Sequence, residues 1–197
     1  MKNTLVLFDF DGTITSENSL IKFILFSKGS FKALLGMLYL SPILICLQLR
    51  LIPNFKAKQR VLSYFYKGMD KKIFLKLSED FSLNKIDKIL RRGAMDRIAW
   101  HKKQEHTVVV VSASIESWLK PWCDKNELFL IATRMDFADG IVNGNFSTKN
   151  CYGIEKVNRV KKEYGLKNYD YIYAYGDSDG DKQMLSFANE FFYRPFR

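Results

Sequence analysis

Asp9 and Asp11 directly follow an unbroken apolar run, Leu5-Val6-Leu7-Phe8, in the segment Asp9-Phe10-Asp11-Gly12-Thr13. Such a run reads as a strand buried on both faces of a parallel sheet, which places the two carboxylates at its carboxyl end. Two acids that close in a buried position are costly unless a cation or a proton stabilises them. Their repulsion drives the two pKa values apart, so that one can serve as nucleophile and the other as acid or base. A divalent cation would relieve the remaining charge, and the combination points to phosphoryl transfer. The plainer alternative, a structural pair capping the next helix, leaves the residues that follow unexplained.

Ser112 follows a second β-branched run, Thr107-Val108-Val109-Val110-Val111, too short for a helix and too apolar for an edge strand. A strand expected over Tyr171 to Tyr175 leads into Gly176-Asp177-Ser178-Asp179-Gly180-Asp181, and Lys156 stands near the start of a helix expected over Ile154 to Tyr164. Ligands of open α/β sheets gather at the carboxyl ends of the strands. A nucleophile candidate, a hydroxyl, a cation and an acidic cluster can therefore meet in one crevice. Ser112 and Ser114 could also cap the helix after them; Ser112, first after the strand, is the preferred ligand. Asp179 reads as a helix N-cap or first-turn acid. His101 and His106 stand in no ligand spacing and read as surface residues, and Cys151 reads as a small packed residue.

The elements that must position these groups change character along the chain. Residues from about Ser16 to Leu83 look wholly helical. The helical segments are Leu20 to Phe26, ending at Gly29; Phe31 to Leu40; Ile43 to Leu51, after the break at Pro42; Ala57 to Tyr66; and Lys71 to Phe81. Lys85, Lys88, Arg91, Arg92 and Arg97 are expected along one helix. Further on, helices alternate with strands: a helix from Met95 to Lys103, the valine run, a helix through Trp118, and a strand from Leu128 to Arg134. Asp139-Gly140 and Asn143-Gly144 read as the turns of a small hairpin. The fold class expected is α/β, a doubly wound parallel sheet, with residues 1–15 and 85–197 as core and 16–84 as an inserted all-α domain.

Composition narrows the partners. With 197 residues, 47% of them hydrophobic, the chain can bury a core, and its 16 Phe and 10 Tyr exclude disorder. Lys and Arg number 31 against 21 Asp and Glu, a net charge of +10. That suits either an anionic partner or a solvated basic surface. The basic runs lack the aromatic interleaving of a nucleic-acid module, so nucleic acid is not expected. Three widely spaced cysteines without a CxxC pair, and a first apolar run that passes straight into Asp9, suggest reduced thiols, no secretory signal and a cytoplasmic address. Ala33 to Leu49 carries no charge and is at the lower limit of a membrane span. Helices packed on one another are the plainer expectation. The sharper one is a lipid-facing insertion with Lys28, Lys32, Arg50, Lys56 and Lys58 on anionic headgroups, peripheral at the inner face of the membrane.

The order DFDGT, a strand ending in VSAS, a lysine in NCYGIEK, then GDSDGD resembles the haloacid dehalogenase superfamily, in its phosphoserine-phosphatase-like branch with a helical cap after the first motif. The match spans the core from Asp9 to Asp181. The resemblance implies a Mg2+-dependent phosphatase acting on a small phosphate monoester through an aspartyl-phosphate. Asp9 would be the nucleophile, and Asp11 the acid and then the base. Mg2+ would be held by the Asp9 carboxylate, the Asp11 main-chain carbonyl and Asp177. Ser112 and Lys156 would bind phosphoryl oxygens, and Asp181 would orient metal-bound water or Lys156. Family dehalogenases lack an aspartate at the position of Asp11, so its presence favours phosphate esters. Phosphoserine phosphatases carry a glutamate where this chain has Asn18, with Glu17 beside it, which counts against phosphoserine itself. Phosphatidylglycerophosphate phosphatases resemble the chain in their apolar, proline-interrupted cap, which makes a lipid phosphate the alternative substrate. A non-catalytic basic binding protein is a third reading, and the intact Asp9, Asp11, Ser112, Lys156 and Asp177 argue against it.

Overall fold

A computed structural model describes residues 3–197; the first two residues of the expected core segment lie outside the described residues. The strands are β1 (Thr4–Phe8), β2 (Thr107–Ile115), β3 (Phe129–Thr133), the short β4 (Met135–Ala138) and β5 (Ile141–Phe146), then β6 (Tyr171–Gly176) and β7 (Glu190–Tyr193). The apolar runs take the middle of one parallel sheet ordered β3-β2-β1-β6-β7, where both faces are covered. Alternate residues of β1 and β2 point to opposite sides. Val6, Phe8, Val108 and Val110 enter one core, while Leu5, Leu7, Val109 and Val111 enter the other with Val157 and Val160. Strand order reverses between β1 and β6, which opens a crevice at their carboxyl ends. The expected doubly wound α/β sheet is present.

Between β1 and β2 come α1 (Ser19–Lys28), α2 (Ser30–Tyr39), α3 (Ser41–Gln48), α4 (Asn54–Tyr66) and α5 (Lys71–Lys85). Asn18 and Asp70 cap α1 and α5 through their side-chain oxygens, and Gly29 ends α1 at φ +77°. Phe23 joins this helical cap to the core: it stacks on Trp118 at 4.6 Å and meets Tyr66, Phe74 and Phe81 at 5.3–5.7 Å. Pro42 opens α3 and separates two short helices, as expected. No single helix among the described residues is long and apolar enough to cross a membrane; α2 and α3 together reach that length and composition but are bent by 63°.

The core continues with α6 (Arg92–Lys103), α7 (Glu116–Lys125), α8 (Ile154–Glu163) and α9 (Lys182–Phe187). Four expectations need correction. The basic run is not one helix: Lys85 ends α5, Lys88 lies in a 3-10 turn at Ile86–Ile89, and α6 starts at Arg92. The chain must cross back into the core there, and it pairs with the outgoing segment (Ser16 N to Ile89 O and Arg91 N to Ile14 O, both 2.8 Å). His101 is not a surface residue but fully buried, its Nε2 2.9 Å from the Tyr175 hydroxyl and its Nδ1 2.9 Å from His106 Nδ1; His106 is half-buried. Burial, His106 and Arg97 lower the His101 pKa to about 3, so it is neutral. Asn143-Gly144 is no turn, because the hairpin closes at Asp139-Gly140. Gly144, at φ +89°, lies where β5 crosses α4 so closely that a Cβ would meet Ser63 Oγ at 2.1 Å. Lys58, expected outward, points inward.

Candidate active site

Asp9 follows β1 and is tied to the neighbouring strand end by its amide, which donates to Tyr175 O at 2.9 Å. Lys156, in the first turn of α8, is buried, and its Nζ donates to Asp9 Oδ1 (2.5 Å), Asp181 Oδ1 (2.7 Å) and Val111 O (2.7 Å). Burial works against the ammonium charge, but the two carboxylates outweigh it and raise the Lys156 pKa. Burial pushes the Asp9 carboxyl up to about 7 against the pull of Lys156. Asp181 ends below the usual carboxylate range: burial opposes ionisation, and Lys156 and Ser178 overcome it. Its Oδ2 accepts from Asp177 N (3.1 Å), Ser178 N (3.0 Å) and Ser178 Oγ (2.7 Å), so one buried side chain holds Lys156 and shapes the turn that carries Asp177.

Asp177 takes an ion pair from Arg197 and a long contact from Thr13 Oγ1 (3.5 Å), and burial raises its pKa. Gly12, at φ +89°, makes this approach feasible, since a Cβ there would lie 2.4 Å from Asp177 Oδ2. Asp9, Asp177 and Asp181 each bring a carboxylate oxygen within 4.8 Å of the others. A buried, all-oxygen donor set of this charge fits a hard divalent cation such as Mg2+. Each carboxylate of the set is already hydrogen-bonded within the protein: Asp9 to Lys156, Asp181 to Lys156 and Ser178, and Asp177 to Arg197 and Thr13. The Asp11 side chain is turned elsewhere: it accepts from Ser19 N (2.6 Å), Ser19 Oγ (3.1 Å) and Ser114 Oγ.

Residues 6–186 match the family described as haloacid dehalogenase-like hydrolase. The chain belongs to that family. It is 31% identical to Protein CicA of Caulobacter vibrioides over 98% of this chain and 86% of that protein. Among solved structures it is similar to a protein of unknown function from Bordetella pertussis Tohama I, with TM-score 0.83 and 20% identity over 97% of this chain and 89% of the other. It is also similar to a phospho-aspartyl intermediate analogue of phosphoserine phosphatase, with TM-score 0.70 and 18% identity over 97% and 86%. The fold is thus that of the phosphoserine-phosphatase-like branch.

Within this hydrolase, Asp9, Lys156, Asp177 and Asp181 form one connected cluster. Ser112 is buried beside it, its Oγ accepting from Ser114 N at 3.0 Å. Neither serine caps α7, whose cap residue is Ile115 and has no side-chain bond; β2 runs on through Ser112 and Ser114 instead. Asp179 is the first-turn acid expected, exposed and paired with Lys182 at 2.7 Å. Cys151 is packed, and burial pushes its thiol up to about 11. Asn18 and Glu17 are occupied away from the cluster, one capping α1 and the other pairing with Lys22 at 2.6 Å.

Three residues were not foreseen at the site. Ser114 and Ser19 fix Asp11 and contact each other at 2.9 Å, and Trp118 Nε1 donates to Ser19 Oγ at 3.3 Å. Lys58, on α4, donates to Ala113 O at 2.9 Å; desolvation lowers its pKa, and the charges of Asp11 and Asp9 partly offset this. Its helix phase was the available signal: Val61, Leu62 and Phe65, at i+3, i+4 and i+7, are all buried.

Proposed function

We propose that this hydrolase is a phosphatase that cleaves phosphate monoesters through an aspartyl-phosphate on Asp9. The observation that carries the reading is the division between the two acids: Asp9 is clamped at one oxygen by Lys156, while serines hold Asp11 separately. With Oδ1 on Lys156, the Oδ2 of Asp9 is the oxygen that attacks phosphorus as the bond to the leaving oxygen breaks. Asp11 gives that oxygen a proton, then takes one from the water that cleaves the acyl phosphate, and Asp9 is restored. Ser112 Oγ accepts from Ser114 N, which leaves its own hydrogen to donate to a phosphoryl oxygen. Lys156 and Lys58 place two cations where negative charge develops. Mg2+, held by Asp9, Asp177 and the Asp11 carbonyl, would neutralise charge on the phosphoryl oxygens. Asp181 is the positioning residue for Lys156 and for the Asp177 turn. Residues 16–84 serve as the cap, joined to the core by the paired segments at 14–16 and 89–91.

The test is phosphate release with and without Mg2+, from amino-acid, sugar, nucleotide and lipid phosphates, with Asp9→Asn as the blank. Turnover that requires Mg2+ and is lost in the variant supports the proposal. Absence of turnover on every class, with salt-sensitive nucleic-acid binding, would instead support a non-catalytic binding protein. A lipid phosphate is favoured among the substrates by a groove of about 960 Å³ between cap and core. Leu51, Ile52, Pro53 and Phe55 form one side, with Tyr152 and Ile154 opposite. Tyr152 packs on Gly180, inside the Asp177–Asp181 turn, so an apolar leaving group would lie beside the acidic cluster. Faster release from small hydrophilic phosphates than from lipid phosphates would remove this second reading and leave the first intact.

A further inference from the structure

The outer helices of the cap are amphipathic in the reverse sense for a surface in water. α2 turns its small residues inward: Ala33 and Gly36 are its buried positions, and a Cβ on Gly36 would meet Phe65 Cζ at 2.3 Å. Its large side chains point out, with Phe31, Leu34, Leu38 and Tyr39 each more than half exposed. α3 buries none of its residues, and Leu49 and Leu51 beyond it are more exposed than buried. A contiguous apolar face of this kind marks an interaction surface.

Charge identifies the kind of surface. Between Glu17 and Asp70 the sequence has eight Lys or Arg and no Asp or Glu. Lys56, Arg60 and Ser63 fall at i, i+4 and i+7 on one side of α4, and Lys67 follows as its C-cap residue. With Asn143 and Asn145 of β5 they line a cavity of about 430 Å³ whose lining has no carboxylate. Asp136, beside it, is hydrogen-bonded to Asn143. Among the described residues, Lys56, Arg60 and Lys67 form no ion pair. Tyr64, one turn after Arg60, stacks on Tyr39 of α2 at 5.2 Å, so the basic cavity and the apolar face meet along one edge.

We propose that this face docks on an anionic bilayer, with α2 and α3 in the interface and the cavity between α4 and β5 receiving a lipid phosphate headgroup. Nucleic acid would satisfy the cations but leave the aliphatic face in water. A second copy would bring like charge against like charge. A bilayer with anionic headgroups matches both halves of the surface. The proposal rests on the outer face of the cap and not on the catalytic reading, so either can fail without the other.

Flotation of the whole chain with phosphatidylcholine vesicles, with and without phosphatidylglycerol, tests it. The wild type should float with the phosphatidylglycerol vesicles and far less with phosphatidylcholine alone. Leu34→Ser with Leu38→Ser, and separately Lys56→Gln with Arg60→Gln, should each weaken binding; for the loss of two surface cations the expected factor is about thirtyfold. All four side chains are exposed, so the circular dichroism spectrum and thermal midpoint should stay at the wild-type level and report that the variants are folded. Three results would overturn the proposal. The wild type could remain wholly in the soluble fraction, both double variants could float like it, or the free protein could form a dimer that Leu34→Ser breaks.

Discussion

Asp9 and Asp11 carry the same side chain two residues apart, and their neighbours give them different properties. Asp9 is buried against a lysine that holds one oxygen; Asp11 is half-buried and accepts from a main-chain amide and two hydroxyls. On the proposed mechanism, Ser114 is a positioning residue for the acid. Replacing it with alanine removes a charge-assisted hydrogen bond, so kcat should fall about tenfold to a hundredfold with KM little changed. Steady-state kinetics on the best substrate of the screen measures this, and an equal rise in KM with kcat intact would refute the role. Asp9, Asp11, Asp177 and Lys156 could be read in the sequence because each stands at a strand end or helix start whose local pattern is strong. Ser114 and Ser19 could not be, because their contacts with Asp11 and with each other exist only in the folded chain; Lys58 carried a signal in its helix phase, but its partner Ala113 is 55 residues away.

At the scale of elements, the places where the sequence misled are those where tertiary contact overrides local pattern. Asn143-Gly144 has the composition of a hairpin turn, yet it is strand, because the glycine is needed where β5 crosses α4. Gly144→Ala must strain a φ of +89° and displace Ser63. It should cost about 1–3 kcal/mol, read as a lower midpoint in urea unfolding. His101 looks exposed in a basic stretch but packs between α6 and the sheet. Its pKa is lowered from 6.5 to about 3 on folding. The unfolded chain therefore binds a proton that the folded chain does not between those values. This contribution to stability is full above about 6.5 and is lost as pH falls toward 3. Thermal midpoints from pH 7 to pH 4 should drop more steeply for the wild type than for His101→Gln; parallel curves would contradict the assignment. The short β7 was not foreseen, since its four residues alternate between half-buried and exposed and carry no long apolar run.

For the whole molecule, the parallel sheet and the helical insertion were legible, because buried parallel strands and the long run of helical periodicity dominate the chain; the strand order was not. How the cap meets the core was not legible either. That junction includes Phe23 stacked on Trp118, Lys58 on the Ala113 carbonyl and the Trp122 amide donating to Ser82 Oγ, between segments distant in sequence. On the proposed mechanism, Lys58→Met should leave the fold intact while lowering kcat/KM by about tenfold to a hundredfold, since it removes a cation that interacts with Asp11 and Asp9. Unchanged kcat/KM would show that the cap reaches the site without taking part in the reaction. The central claim is a covalent phosphoryl group on Asp9. Rapid acid quench of the enzyme during turnover, followed by peptide mass spectrometry, tests it most directly. The account predicts a hydroxylamine-labile phosphoryl group on the peptide bearing Asp9, absent in Asp9→Asn. Phosphoryl label on another residue, or full turnover by Asp9→Asn, would contradict it.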